Sequence, residues 1–179
     1  METKAMEAQQ APSVVAIATK YGLIQGVLGF VVVLIPPLTG MKSNWVFAVI
    51  SIAILVVLMV LAHGEFKRTH NRMMTYAQGL GSGTLFATVG AVVSSILVFI
   101  YAKFINTGYF AGMLKTVSDT IQQRGITGAQ AQQGMALYRV IYSPVPYLII
   151  SVIAGVIIGF IVALIVSIFT QRGDPRVVR

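Results

Sequence analysis

The chain has 179 residues, of which 56% are hydrophobic and only 10% charged, far from the roughly 25% charge of soluble domains. Its formal net charge is +8, yet the thirteen Lys and Arg residues stand singly or in small groups at the ends of apolar runs. That is the pattern of topology signals and lipid-headgroup contacts, and it excludes a nucleic-acid surface. With no cysteine there is no disulfide, thiolate metal site or cysteine nucleophile.

The length suits a single membrane domain, residues 1–179, of about four spans at about 20 apolar residues each. Met1 to Pro12 is polar and short, and a disordered tail is expected there. Ser13 is a candidate helix N-cap. The apolar run behind it shows no small-residue cleavage site with the usual flanks, so it reads as a retained first span over about 14–38. Lys20 and Tyr21 sit where a lysine stem snorkels and an aromatic ring anchors. Pro36 and Pro37 are expected to end this helix by removing backbone donors and disfavouring helical geometry before them.

The second span, about 45–62, is rich in Ile, Val and Leu behind Trp45, and its scarcity of small residues points to a lipid-facing position. A polar connection from His63 to Gln78 is expected next, with Lys67, Arg68 and Arg72 against a single Glu65. The third span, about 79–105, carries Ser82, Thr84, Thr88, Ser94 and Ser95, hydroxyls able to bond back to their own helix. The fourth, about 147–169, has no charge, and a tail with Arg172, Arg176 and Arg179 follows. Four spans put both termini on one side. That side holds eight basic residues (Lys4, Lys20, Lys67, Arg68, Arg72, Arg172, Arg176, Arg179) against five on the other (Lys42, Lys103, Lys115, Arg124, Arg139), which favours both termini in the cytoplasm.

The one long polar stretch, Asn106 to Ser143, would then be extracytoplasmic. Phe110, Met113, Leu114, Val117 and Ile121 recur at helical spacing and form its expected contact face. Gly125 is a stop signal, and Thr127 with Gln130 has the capping-box spacing, so a helical hairpin is expected over about 106–143. It either lies on the bilayer by its apolar faces or extends the spans.

Small residues recur every fourth position in three spans. They are Ala18, Gly22, Gly26 and then Gly29; Gly79, Gly83, Ala87 and then Gly90 and Ser94; and Ser151, Gly155, Gly159, Ala163 and Ser167. Such seams let helix backbones approach where lipid supplies no hydrophobic drive. They serve packing inside the chain or self-association through the fourth span. The first and third seams also superimpose at an offset of 61 residues, hinting at two hairpins related by an axis along the membrane normal. Gln25, the strongest polar side chain within a span, reads as an interhelical hydrogen bond or as part of a polar path. The stretch Gly79 to Thr84 lacks the lysine of a phosphate loop and reads as packing. His63 and His70 with Glu65 match no metal-ligand spacing and read as solvated interfacial groups; no metal or cofactor is expected.

The order of short motifs resembles the uncharacterised bacterial membrane family known as domain of unknown function 4199, common in Bacteroidota. These motifs are Lys20-Tyr21-Gly22, Glu65-Phe66-Lys67, Tyr76-Ala77-Gln78-Gly79, Phe104-Ile105-Asn106, Gly125-Ile126-Thr127 and Ser143-Pro144. The resemblance covers nearly the whole chain. It implies an all-α inner-membrane protein of four transmembrane helices with an extracytoplasmic helical insert between the third and fourth. It supplies no catalytic residues. Where many relatives carry a Glu- and Met-rich insert, this chain has Gln, Ala and Gly, which argues against a charge-based role.

All five acids, Glu2, Glu7, Glu65, Asp119 and Asp174, fall outside the apolar cores, so neither acid–base catalysis nor ion coupling through intramembrane carboxylates is expected. The first functional expectation is a non-catalytic accessory or scaffolding subunit of a larger inner-membrane complex, in contact with lipid and with other membrane subunits or itself. The alternative is a small passive channel, transporter or lipid-handling protein.

Overall fold

The computed structural model describes residues 13–41, 45–69 and 73–172. The expected N-terminal tail, His70, Arg72, Arg176 and Arg179 lie outside the described residues. Helices α1 (Val14–Thr39), α2 (Trp45–Thr69), α3 (Tyr76–Ile100), α4 (Tyr109–Gln123), α5 (Gly128–Ile141) and α6 (Pro144–Thr170) follow in order, with a π-helical segment Tyr101–Ile105 continuing α3. Four of them, α1, α2, α6 and α3 with its extension, are long and apolar enough to cross a membrane.

Several boundaries differ from the sequence-based expectation, each for a local reason. Helix α1 ends at Thr39, within a residue of the expected end, with Pro36 and Pro37 inside the helix and not beyond it. Both prolines sit in the last turns, where few intrahelical bonds remain to be lost, and the Thr39 hydroxyl bonds back to the Ile35 carbonyl at 2.7 Å. Helix α2 continues past Ala62 to Thr69, so His63 to Thr69 is helix and not connection. It continues because Phe66 and Ala62 bury against Ile17 of α1 and against Met74. Helix α3 starts at Tyr76, one turn before the expected Gly79, because Thr75 and Gln78 form a reciprocal capping box. That threonine-glutamine spacing is legible in the sequence, whereas the box expected at Thr127 and Gln130 is not formed. Thr127 is the N-cap of α5 without a side-chain bond, and Gly128 behind it has φ +67, which turns the chain away from the box geometry. Gly125, at φ +69, does terminate α4: Ile126 N–H reaches Ile121 O at 3.2 Å and Gly125 N–H reaches Gln122 O at 2.9 Å, the two bonds of a Schellman stop. Helix α6 begins at Pro144 with Ser143 as N-cap, a turn earlier than Tyr147.

Helix α3 is the hub. Within its most apolar stretch 39% is buried, against 17–22% for the other three membrane-length helices. Helix α1 packs along one side of α3 and α6 along another, while α2 joins α1 to α6 and closes the ring. The order around the bundle is therefore α1, α3, α6, α2. A two-fold axis along the membrane normal exchanges opposite members of a ring, here α1 with α6 and α3 with α2. These are pairs of opposite direction, so the two-hairpin symmetry hinted at by the 61-residue offset is not the arrangement.

Three apolar clusters fill the interior. Leu55, Met59, Phe86, Ala87 and Ala163 lie at mid-bundle, and Ile17, Ala62, Phe66 and Met74 lie near the start of α1. Val98, Tyr101, Ala102, Tyr109 and Phe110 lie at the far end, where the hairpin is attached. Near the start of α3, Met74 and Arg172 exchange two backbone hydrogen bonds of 3.1 and 2.8 Å, tying the end of α6 to the entry of α3.

Candidate functional site

The small-residue seams meet one another inside the chain. Along α3 and α6 the pairing is antiparallel. Ser151 meets Ser95, Gly155 meets Ala91, Gly159 meets Ala87, Ala163 meets Gly83 and Ser167 meets Gly79, each rung one helical turn from the next. A Cβ on Gly155 would stand 2.6 Å from Ala91 Cβ, and one on Gly159 would collide with Ala87 Cβ. At the outer rung Ser95 and Ser151 share a 2.8 Å hydroxyl hydrogen bond. Along α1 and α3 the pairing is parallel. A Cβ on Gly22 would stand 2.8 Å from Phe86 O and from Val89 Cβ, and one on Gly26 would stand 2.6 Å from Val93 Cβ. Gly29 faces Ser94 more loosely, at 3.6 Å.

Gln25 projects into the α1–α3 seam and lies over Gly90, where a Cβ would collide with its amide. Its Oε1 is buried without a partner. Gly90 thus makes room for a polar side chain, while Gly22 makes room for a backbone.

At the end of the bundle that holds the start of α1, polar groups converge from α2, α3 and α6. His63, expected to be solvated, is 1% exposed, because the continuation of α2 carries it into the interior. Its Nδ1 lies 2.8 Å from Thr170 Oγ1, and that hydroxyl also lies 2.9 Å from Val166 O. A hydroxyl has one proton, so both contacts are satisfied together when Thr170 donates to Val166 O and His63 donates from Nδ1. His63 Nε2 is then a lone-pair acceptor. It is buried without a partner on the side of Gly83, as is Ser167 Oγ on the side of Gly79. Lys67 Nζ donates to Thr170 O at 3.0 Å, covering a carbonyl left free at the end of α6. Two residues before Lys67 on α2, and so on the opposite, α1 side, Glu65 receives Lys20 Nζ at 2.7 and 3.0 Å and the Tyr21 hydroxyl at 2.8 Å. This pins α1 to α2. The reading of Lys20 and Tyr21 as lipid anchors missed their shared partner, because forty-four residues separate Tyr21 from Glu65.

At the opposite end the hairpin is attached through aromatic rings. Tyr101 contacts Phe30 and Tyr109 edge-on at 6.2 and 5.8 Å, Tyr109 contacts Phe110, and Phe110 contacts Tyr147 at 5.3 Å. Burial holds the Tyr109 hydroxyl well above the usual phenol range, with Tyr147 adding to it, and burial also raises that of Tyr142 beside Tyr138. Five of the seven tyrosines, Tyr101, Tyr109, Tyr138, Tyr142 and Tyr147, lie in this region of the chain, a density that marks the attachment point in the sequence.

Of the expected contact face, Phe110 is buried, Met113 packs against the same cluster, and Leu114, Val117 and Ile121 are half-buried. Val117 and Ile121 turn toward α5 and line a groove between the two hairpin helices. Helix α5 has no buried residue, and Leu137 and Val140 are 60% and 61% exposed. Among the described residues, no three His, Asp or Glu side chains gather where a metal ion would be held.

A ring of four membrane-length apolar helices with a helical hairpin between the third and fourth defines a multi-pass α-helical membrane protein. The chain belongs to the family described as protein of unknown function DUF4199, whose model matches residues 20–172. Neither a curated protein nor a solved structure matches the chain.

Proposed function

We propose that the protein is a non-catalytic accessory subunit whose hairpin docks onto other membrane proteins of a larger complex. The setting we assign is the inner membrane of a bacterium of the Bacteroidota, with both termini cytoplasmic and the hairpin outside. The observation that carries the docking role is α5, which buries none of its residues in the chain yet holds Leu137 and Val140 outward. The glycine seams, by contrast, are occupied within the bundle and are not free to receive a partner. The sidedness is supported by the eight basic residues at the terminal end against five at the hairpin end. The source rests on the ordered motifs quoted above.

Photoreactive residues placed at Leu137 and Val140 in the native host test the docking role. The expected result is a discrete adduct with one or two other membrane proteins. Adducts only with lipid or with a second copy of the chain would sink the accessory-subunit reading. Because the chain has no cysteine, single cysteines at Arg68 and Arg124 report sidedness separately. An impermeant thiol reagent applied from outside is expected to reach position 124 and not position 68.

A further inference from the structure

The groove between α4 and α5 is open along one side and offers about 320 Å³. Val117, Ile121 and Ile126 give it an apolar floor, and it stays open in part because Gly134 contributes no side chain: a Cβ there would come to 3.9 Å from Ile121 Cδ1. Arg124 is the one charged residue lining it, and no carboxylate does. Among the described residues the Arg124 guanidinium has no hydrogen-bond or ion-pair partner, since the one ion pair present is Lys20 with Glu65. Thr116 and Thr120 also line the groove, but their hydroxyl protons are committed to Gly112 O and Thr116 O, so they offer an anion no donor. The free donors are Arg124 and Gln130 at one end and the neutral Tyr138 hydroxyl at the other, and of these only Arg124 carries a charge to match an anion.

We propose that this groove binds a single-chain anionic amphiphile of the fatty-acid class. Its carboxylate lies on the Arg124 guanidinium, which matches carboxylate geometry with paired N–H donors, and its chain runs over Val117 and Ile121 toward Tyr138. From Arg124 to Thr116 the groove follows eight residues of helix, roughly 12 Å. Its volume is at the small end of ligand sites, which run from about 300 Å³, a size suited to one chain. The inference is independent of a protein partner on the outer face of α5.

A photoreactive dodecanoate, applied to the full chain in lipid nanodiscs and followed by peptide mapping, tests it. Label is expected on the peptides covering 116–138, displaced by unlabelled dodecanoate and unaffected by dodecanol or by phosphatidylglycerol in the disc. Arg124→Gln, at an exposed position, is expected to weaken labelling about tenfold or more, the equivalent of one charge-assisted hydrogen bond. Gly134→Leu is expected to abolish it by filling the groove, and Arg139→Gln, outside the groove, to leave it unchanged. Displacement by dodecanol or phosphatidylglycerol equal to that by dodecanoate would overturn the proposal, as would full labelling of Arg124→Gln.

Discussion

Around α3, most glycines mark places where one helix touches another, Gly81 excepted; in the hairpin they mark turns, open space or, at Gly134, no more than an ordinary contact. Gly22, Gly26, Gly155 and Gly159 each face atoms that a side chain would strike, whereas Gly112 in α4 has no atom within 4 Å of where its Cβ would be, and Gly125 and Gly128 adopt positive φ. The same residue therefore encodes contact in one region and connection in the other. The difference follows from the solvent. Helices in hydrocarbon gain nothing from hiding apolar surface and must associate by close van der Waals fit, which small residues permit. The hairpin helices carry polar faces and are held by one aromatic cluster.

The largest expected effect breaks the contact use of glycine. Gly159→Leu drives a branched side chain into Ala87 of α3 and is expected to cost about 3 kcal/mol or more by overpacking, read as a large drop in thermal midpoint in detergent. Gly81→Leu, on the same α3 but with open space beside it, is the matched control and is expected to stay close to the parent. Equal losses for both would mean that the five-rung seam is not what holds α6 to α3.

A smaller effect is expected at the polar end of the same seam. Thr170→Val removes the acceptor for His63 Nδ1 while keeping the shape, leaving a buried N–H unpaired. The expected cost is about 1–3 kcal/mol, and nitrogen NMR of His63 checks the tautomer. A proton on Nδ1 in the parent supports the assignment, and one on Nε2 reverses it.

How much of this was legible in the sequence divides along the same line. The seams were readable because a four-residue spacing of small residues has one main physical use in an apolar helix. Which seam meets which was not readable, since spacing carries no information about partners: the α1–α3 contact and the Ser95–Ser151 bond join residues remote in the chain. His63 was misplaced because polarity alone put it in a connection. Only the packing of Phe66 and Ala62 against α1 reveals that the helix carries it inside. The hairpin was readable from amphipathic spacing and from Gly125. Its attachment was not, because a run of tyrosines announces an interface without saying which rings meet.

The attachment has its own chemistry to test. Tyr109 is held above the ordinary phenol value of about 10 because ionising it would bury a charge. The native state therefore keeps this proton more tightly than the unfolded chain does, so the contribution is fully present below pH of about 10 and is lost as pH rises from there through the raised native value. Difference absorbance of the phenolate band is expected to show Tyr109 among the late-titrating tyrosines, with Tyr142 also raised, and Tyr109→Phe to reduce that late absorbance by one tyrosine while leaving the hairpin attached. In the cysteine-free chain, a lone cysteine at Met113, packed on the aromatic cluster, is expected to react several-fold more slowly with a soluble maleimide than one at the exposed Lys115. Equal rates would detach the hairpin from the bundle end.

The smallest effect sharpens the comparison most, because it carries the opposite sign. Gly112 lies inside α4 with open space around it, so an added methyl strikes nothing and only restricts the unfolded chain. Gly112→Ala is expected to stabilise α4 by up to about 1 kcal/mol. The hairpin is joined to the bundle at one end, so its opening need not be part of global unfolding, and the gain belongs in the local hydrogen exchange of α4 amides, slowed by about fivefold. Unchanged exchange in α4 together with a raised global midpoint would show that the hairpin unfolds with the spans, and the two regions would then be one cooperative unit despite their different use of glycine.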